Sequence, residues 1–409
     1  MLSYIVYLIL FASYFTAIVL YFLPNIIQYK AFVIGIDVVF FISVLYYKLA
    51  NKISLKKCSA LMICFILILA VYSLTPLFYY YSNSQYVSFK LVLIAQTLPA
   101  ILSAAIINSN EYFVDKLKRL APIVSLLFSI VSFYTAFYPV AETTGGFAAG
   151  ENLTYQNISY MSATAAGFTL FYLLSFQEIK WPLFFKRKIA KKIMCVMLIV
   201  NLLSIFVAGG RGGLVLFGVL CICSYYIYIN TSSRKRNMAK FFIPIFCVVV
   251  LVFSIQFVAR YSLSTNGFSR IVSTVSTGDD NGRSLLREKA YSAFLDSPFY
   301  GHGLGSVFYE IKEYTHNCIT DMLVEGGFGE VFVYLYLVFY TIKKIFKLIS
   351  VDISESLWLF LFLDSFIMSL FSGYYLGFLS EFFVIAMMYV RKIQIGDNSI
   401  SKRITYYKE

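Results

Sequence analysis

Charged residues are scarce in this sequence, which excludes an ordinary soluble protein. They make up 13% of the 409 residues, whereas soluble domains carry about 25%. Hydrophobic residues make up 60% of the chain, and no soluble core buries that much apolar surface. A bilayer accepts such surface because its interior is itself apolar. The composition therefore predicts an integral membrane protein.

Residues that suit a metal site or a disulfide framework are also few. The seven cysteines form no CxxC pair, and six of them lie in or beside apolar runs. Cys318 alone lies near the predicted outer face. Neither a zinc site nor a set of disulfides is indicated. The chain also has only two histidines, His302 and His316.

Apolar runs of membrane-spanning length recur along the whole chain. A helix needs about 20 apolar residues to cross the hydrocarbon layer. We therefore expect an all-α fold: one polytopic membrane domain over residues 1–409 with about twelve transmembrane helices. The predicted spans are 2–23, 31–49, 59–80, 87–107, 120–138, 158–176, 193–208, 214–229, 241–258, 318–342, 357–372 and 374–390. The first is expected to be a retained span, because it lacks a basic start and a small-residue cleavage site.

Lysine and arginine concentrate in alternate loops, which predicts the orientation. The loops expected in the cytoplasm hold 25 of the 34 basic residues, in agreement with the positive-inside rule. Both termini are then cytoplasmic. The net charge of +13 is explained by topology, and we expect no nucleic-acid partner.

Two loops on the predicted outer side differ from the rest. Residues 139–157 contain no lysine or arginine but carry Glu142 and Glu151. Residues 259–317, between the ninth and tenth spans, form by far the longest connection. The basic residues of this long loop are Arg260, Arg270, Arg283, Arg287, Lys289 and Lys312. Long loops escape the positive-inside rule, so these charges are free to serve another purpose.

Arg283 and Arg287 are four residues apart in a stretch with helical character, so they share one face of that helix. Two guanidinium groups on one face form a bidentate clamp that suits phosphate. The alternative is a surface helix in which the arginines pair with Glu288 and Asp296.

Arg211 lies between two apolar spans in the run Gly209-Gly210-Arg211-Gly212-Gly213. A charge near membrane depth is costly and usually faces a cavity or a partner. The flanking glycines allow close approach of the backbone. This pattern favours a functional arginine over a tight turn with an arginine that reaches the interface.

His316 precedes Asn317 at the predicted outer start of the tenth span. A histidine in that position is suited to proton transfer near neutral pH. The alternative is a polar helix start in which Asn317 is the cap. His302 lies among glycines after Pro298, where we expect a sharp turn, since a nucleotide-binding glycine run requires a preceding strand.

Three acids, Asp37, Asp364 and Glu381, fall within predicted spans. Acids at that depth face the interior of a bundle or a cavity. An interhelical structural role is favoured over catalysis for all three.

An ordered set of motifs resembles the C-terminal part of the bacterial O-antigen ligase and polymerase superfamily. The set spans about a third of the chain, from Gly209 to Gly329, and it begins with Arg211 after an apolar span. It continues with Arg283, Pro298, Gly301, Gly303, Gly305, His316-Asn317 and Glu325-Gly326. Each motif is weak alone, but their order and their placement around a long outer loop are specific.

The resemblance implies a GT-C-like, inverting and metal-independent glycosyltransferase of the bacterial inner membrane, with no cofactor. Such enzymes join undecaprenyl-diphosphate-linked glycans on the periplasmic face, where arginines hold the donor diphosphate and a histidine lies near the reacting sugar. Arg211, Arg283 and Arg287 match the arginine positions, and His316 matches the histidine. We expect His316 and Arg211 to be catalytic, and Arg260 and Asn317 to join the arginines in binding substrate.

Within this superfamily the sequence favours a polymerase over a ligase. The segment Tyr155-Gln156-Asn157-Ile158-Ser159-Tyr160, after a glycine-rich loop, resembles polymerase members, and the content of Tyr and Phe is high. Expected partners are a lipid-linked oligosaccharide, membrane lipid and a chain-length regulator protein.

The alternatives are a ligase that transfers glycan to lipid A–core, or a polymerase of capsule or another exopolysaccharide. Two further alternatives also have many spans. One is a peptidoglycan-type glycosyltransferase, with Asp279, Asp280 or Asp296 as the base, and the other is a transporter. No internal repeat is visible, which weighs against transporters built from duplicated halves.

Overall fold

The computed structural model describes residues 1–22, 29–50, 96–137, 154–176, 179, 187–231 and 283–391, and every regular element in these ranges is helical. The helices are α1 (Leu2–Leu10), α2 (Ala12–Phe22), α3 (Tyr29–Leu49), α4 (Leu98–Asn108), α5 (Glu111–Phe137), α6 (Tyr155–Leu174), α7 (Arg187–Ala208), α8 (Arg211–Thr231), α9 (Arg283–Asp296), α10 (Val307–Glu310), α11 (Cys318–Val351), α12 (Ser356–Phe371) and α13 (Leu379–Val390). Short 3-10 turns at Ile353–Glu355 and Tyr375–Gly377 flank α12. The predicted all-α class is confirmed for these residues.

Five of the described helices, α5, α7, α8, α11 and α12, are long and apolar enough to cross a membrane, or six if α1 and α2 form one span. The prediction of a membrane protein is therefore supported. The predicted spans at 59–80 and 241–258, and part of that at 87–107, lie outside the described residues. The count of twelve spans and the GT-C-like architecture stay predictions.

The first predicted span, 2–23, is not one straight helix, and this corrects the sequence interpretation. α1 and α2 meet at an angle of 84°, because Phe11 between them leaves the helical region with φ −120° and ψ 32°. The Phe11 ring lies edge-on to Phe128 and Phe168, with ring centres 5.6 and 5.7 Å away. Aromatic packing in the core thus accompanies a break that contains neither glycine nor proline.

Helix α6 occupies the centre of the bundle, in contact with α5, α7, α8 and α12. It is buried along most of its length and rich in small residues, so neighbouring backbones approach closely. Several of its hydroxyl groups have hydrogen-bond partners inside the bundle. Ser125 on α5 bonds the Ala165 carbonyl and the Thr169 hydroxyl, both at 2.8 Å, and Thr164 donates to Asp364 on α12.

Two of the predicted intramembrane acids therefore have interhelical partners. Asp364 accepts from Thr164, and Glu381 on α13 accepts from the Tyr334 hydroxyl on α11. Both acids are buried. These contacts support the structural role expected for them.

Helix α11 is broken at Gly327, where φ is 62° and ψ is −156°. The loop after α9 satisfies the backbone groups that the break exposes. The amides of His302 and Gly303 donate to the carbonyls of Val324 and Glu325, and the Phe328 amide donates to the Pro298 carbonyl. Gly301 fits only without a side chain, since an added Cβ would lie 2.2 Å from the Glu325 carbonyl oxygen. The turn expected after Pro298 is thus part of the α11 hydrogen-bond pattern.

The two ends of the bundle differ in their polar contacts. At one end, which we call the first end, α6, α8 and α11 begin and α12 terminates. The hydrogen bonds from Ser159 to Gly210 and from Asn317 to Leu370 connect these helix ends. At the second end Glu355 accepts from Lys118 at 2.7 Å and from Arg391 at 2.6 Å. Trp358 adds a third donor to the same carboxylate at 2.6 Å.

Replacement of Glu355 by alanine should destabilise the protein by about 3–5 kcal/mol, because two buried cations lose their common partner. The side chains of Lys118 and Glu355 are only 4% and 5% exposed. The measurement is thermal unfolding in detergent, followed by loss of the monodisperse peak in size-exclusion chromatography. Glu111→Ala is the matched control, since Glu111 contacts the same Arg391 but its side chain is 64% exposed. An equal loss of stability in both variants would contradict the assignment.

Candidate active site

The glycine run around Arg211 forms the start of α8, and its glycines pack against α6. The Ser159 hydroxyl donates to the Gly210 carbonyl at 2.9 Å. A Cβ added to Gly212 would lie 1.8 Å from the Tyr160 hydroxyl oxygen, and one added to Gly213 would lie 2.1 Å from the Ser159 hydroxyl oxygen. Close approach of two helices therefore explains these glycines, as the sequence predicted.

Arg211 is the first residue of α8 and is partly exposed. Within the described residues its side chain makes no hydrogen bond and no ion pair. A guanidinium group at a helix N-terminus adds positive charge where the helix dipole is also positive. This end of α8 is suited to an anionic ligand.

Arg283 is the first residue of α9, and its Nη1 donates to the Phe371 carbonyl at the end of α12, at 3.1 Å. The Arg283 charge acts on Tyr160, Tyr314 and His316. Asn317, which follows His316 in the chain, donates to the neighbouring Leu370 carbonyl, so Arg283 and His316 both lie near the end of α12. Tyr160 connects that site to Arg211, because it lies against Gly212 on one side and within electrostatic range of Arg283 on the other.

His316 has a left-handed backbone, with φ at 62°. Such a conformation is uncommon outside glycine and is retained where the surrounding structure enforces it, often at functional sites. Its ring lies 4.5 Å from that of Tyr314, centre to centre. Nδ1 is buried with no partner among the described residues, and Nε2 lies 3.9 Å from a carboxylate oxygen of Glu313. The imidazole thus makes no hydrogen bond among the described residues, and its side chain is 19% exposed.

The pKa of His316 is lowered from its ordinary value. Burial is the largest cause, the positive charge of Arg283 is the second, and Glu313 acts in the opposite direction. A histidine with a lowered pKa is neutral at pH 7 and can accept a proton.

Both neighbours of His316 in the chain are fixed by hydrogen bonds. The amide and hydroxyl of Thr315 each lie 2.8 Å from Oδ1 of Asp321, which is fully buried on the first turn of α11. On the other side, Asn317 caps α11, where its Oδ1 accepts from the amides of Ile319 and Thr320. These contacts hold the strained residue between two anchored positions.

The end of α12 and the turn after it, residues 370–375, join the elements of the site. The sequence analysis did not identify this segment. The carbonyls of Leu370 and Phe371 accept from Asn317 and Arg283, and the Ser372 hydroxyl donates to Gln156 on α6 at 3.1 Å. The available signal was the run SGYY between two apolar spans. This run indicates a turn but does not identify its partners.

Two tyrosines of this turn bind a buried carboxylate. Tyr374 and Tyr375 donate to Glu325 at 2.8 and 2.9 Å, and the Tyr375 hydroxyl also lies 3.0 Å from Glu330. Glu325 immediately precedes the Gly326-Gly327 break of α11. The turn after α12 therefore fixes the same part of α11 that the loop after α9 contacts.

The remaining predicted site residues have different placements. Arg287 is exposed, and its Nε donates to the Arg283 carbonyl at 3.3 Å. Asn317 is engaged in capping α11, the alternative that the sequence left open. Arg260 lies outside the described residues. His302 bonds the Ala293 carbonyl at 2.7 Å and ties its loop to α9.

Gly212→Ala should strongly reduce activity, because the new methyl group would occupy the position of the Tyr160 hydroxyl. The matched control is Gly218→Ala on the same helix, where nothing lies within 4 Å of an added Cβ. That change should leave function intact and favour the helix by about 0.5–1 kcal/mol. Both variants are compared for membrane insertion and for polysaccharide on a gel. Full function of Gly212→Ala would show that the close contact with α6 is unimportant.

The lowered pKa of His316 predicts the pH dependence of its modification by diethyl pyrocarbonate, which reacts with neutral imidazole. The rate at His316, resolved by mass spectrometry, should have its midpoint below that of a free histidine side chain. Arg283→Gln removes the second cause of the shift, so the midpoint should rise. An unchanged midpoint in Arg283→Gln would show that the charge of Arg283 does not act on His316, whatever the activity of that variant.

Comparison with known proteins gives one family. The sequence model of a family described as O-antigen ligase matches residues 196–334, about a third of the chain, which includes Arg211, Arg283 and His316. No curated protein and no solved structure matches the chain significantly. The family match confirms, over this part of the chain, the resemblance to the superfamily of O-antigen polymerases and ligases that the motifs show.

Proposed function

We propose that this protein is an O-antigen polymerase, a metal-independent inverting glycosyltransferase that joins undecaprenyl-diphosphate-linked repeat units on the periplasmic face of the bacterial inner membrane. The family match supports the broader activity, that of an O-antigen ligase or polymerase. The observation that carries the proposal is that Arg283 and Asn317, the residue after His316, donate to the adjacent carbonyls of Phe371 and Leu370, at the end of the bundle where Arg211 begins α8.

Arginine has the role of stabilising the leaving group in this proposal. When the glycosidic bond to the lipid diphosphate breaks, negative charge develops on the diphosphate, and guanidinium groups stabilise it. Arg211 and Arg283 supply two such groups around Tyr160. Arg287, one turn after Arg283 on the same helix, is a third binding group, and Arg260 completes the predicted set.

His316 has the role of general base. A hydroxyl oxygen of the acceptor sugar attacks the anomeric carbon of the donor on the face opposite the diphosphate. The new carbon–oxygen bond forms as the bond to the diphosphate breaks, so one displacement inverts the configuration. The hydroxyl proton passes to the neutral imidazole of His316, whose side chain is 19% exposed.

The α6 segment favours a polymerase over a ligase. Residues 155–160 resemble polymerase members, and three of them contact the site: Ser159 bonds Gly210, Gln156 bonds Ser372, and Tyr160 lies between Gly212 and Arg283. In a polymerase the acceptor is the next lipid-linked repeat unit. The alternatives are transfer of the glycan to lipid A–core and polymerisation of capsule or another exopolysaccharide.

The proposal includes the partners and the location. The substrate is an undecaprenyl-diphosphate-linked oligosaccharide in a surrounding membrane lipid phase, and a chain-length regulator protein is a further partner. The termini are cytoplasmic, and the first end of the bundle faces the periplasm, in accord with the distribution of lysine and arginine between the loops.

A deletion strain complemented with variants tests the proposal. Deletion should remove the polysaccharide ladder and leave a single repeat unit on core. If all attached glycan disappears and lipid-linked polymer accumulates, the protein is a ligase. An unchanged ladder, in surface polysaccharide and in capsule, would reject both.

Alanine at Arg211, Arg283 or His316 should fail to restore the ladder although the protein inserts normally. Arg283→Lys should fail too, because lysine cannot form the bidentate contact. Lys289→Ala, an exposed cation on the same helix as Arg283, is the matched control and should restore the ladder. Normal polymer length in the Arg283 and His316 variants would rule out this site.

A further inference from the structure

Exposed aromatic side chains continue from α11 onto the neighbouring α9 and its loop. Phe328 and Phe332 on α11 are 54% and 75% exposed, and Phe299 and Tyr300 in the loop are 68% and 84% exposed. Tyr291 on α9 is 62% exposed. We call these five residues the aromatic patch. So much exposed ring surface requires a partner that is not bulk water.

Direct contacts make the patch continuous. The buried Phe294 ring lies 5.0 Å from that of Phe328 and 6.3 Å from that of Tyr291, centre to centre. The ring centres of Phe299 and Phe328 are 6.3 Å apart. The Phe328 amide donates to the Pro298 carbonyl, so the loop is fixed against α11. The patch is therefore one surface although three segments contribute to it.

The patch extends an exposed apolar stripe on a helix that is long and apolar enough to span a membrane. Phe328, Phe332, Leu335 and Phe339 are all exposed and follow one another at helical spacing on a membrane-spanning helix. They form one stripe along α11, and the patch continues this stripe beyond the break at Gly327. The same solvent that covers Leu335 and Phe339 is the natural occupant of the patch.

The length of α11 gives the depth of the patch in the bilayer. Phe328 and the basic residue Lys347 are separated by 19 residues, or about 28 Å of helix. The hydrocarbon layer is about 30 Å thick. With Lys347 at one boundary, Phe328 lies at the other, where aromatic side chains are enriched.

We propose that α9 and the loop after it lie in the lipid interface at the first end of the bundle, held there by the aromatic patch. The partner is the bilayer itself, at the level of the headgroups. This placement is independent of any activity. Combined with the proposed function, on which this last step rests, it holds Arg283 at the depth of a lipid-borne diphosphate.

Tryptophan fluorescence in lipid nanodiscs tests the proposal. The chain has two tryptophans, so Phe299→Trp or Tyr300→Trp adds one signal that is obtained by difference. Nanodiscs are made from phosphatidylcholine brominated close to the headgroup or close to the chain ends. The added fluorescence should be largely lost with the first lipid, less with the second, and little affected by aqueous iodide.

Two control variants show the quenching expected deep in the lipid and in water. Phe339→Trp lies further along the lipid-facing stripe and should be quenched more by the deeper bromine atoms. Tyr309→Trp, on α10 outside the patch and 48% exposed, should be quenched by iodide. If Phe299→Trp and Tyr300→Trp behave like Tyr309→Trp, α9 lies in water and the proposal is wrong.

Insensitivity to both quenchers would also overturn the proposal, since a protein surface such as a second copy of the chain would then cover the patch. No substrate or turnover enters the experiment. A failure here is therefore distinct from a failure of the complementation test. Tyr300, the most exposed ring of the patch, is the variant with the least risk of misfolding.

Discussion

The candidate site depends on hydrogen bonds to the last carbonyl groups of α12. The carbonyls at a helix C-terminus have no partner within the helix, and they carry the negative end of its dipole. In this protein the Phe371 carbonyl accepts from Arg283 and the Leu370 carbonyl accepts from Asn317. One helix end thereby fixes the cation of the site and the cap of the helix that follows His316. The same interaction stabilises the fold and positions the proposed chemistry.

Much of the helical architecture could be predicted from the sequence, because burial in lipid imposes a composition that a single chain displays. The Arg211, Arg283 and His316 candidates also came from local features: glycine flanks, helical spacing and rarity. The contacts of residues 370–375 could not be predicted, since they join residues far apart in the sequence, such as Ser372 and Gln156. The break at Phe11 was missed for a related reason. Its ring packs among side chains from two other helices, and no glycine or proline indicates it.

Asn317 and Arg287 show which questions the sequence pattern leaves open. A polar residue before an apolar span is equally suited to binding a ligand and to capping the helix, and the hydrogen bonds of Asn317 show capping. Arg287 shares a helix with Arg283, but its Nε bonds a backbone carbonyl of its own helix and its side chain is exposed. Spacing alone predicts which residues share a face. It does not give the distance from that face to the rest of the site.

The break in α11 has a consequence for protein engineering. The carbonyls of Val324 and Glu325 have their partners in His302 and Gly303, and the Phe328 amide has its partner in Pro298. Three hydrogen bonds of a membrane-spanning helix are thus completed by the loop after α9. A chimera in which residues 297–303 are replaced by a segment of different length would leave these backbone groups without partners. This loop and the first turns of α11 should therefore be exchanged together when the protein is recombined with another.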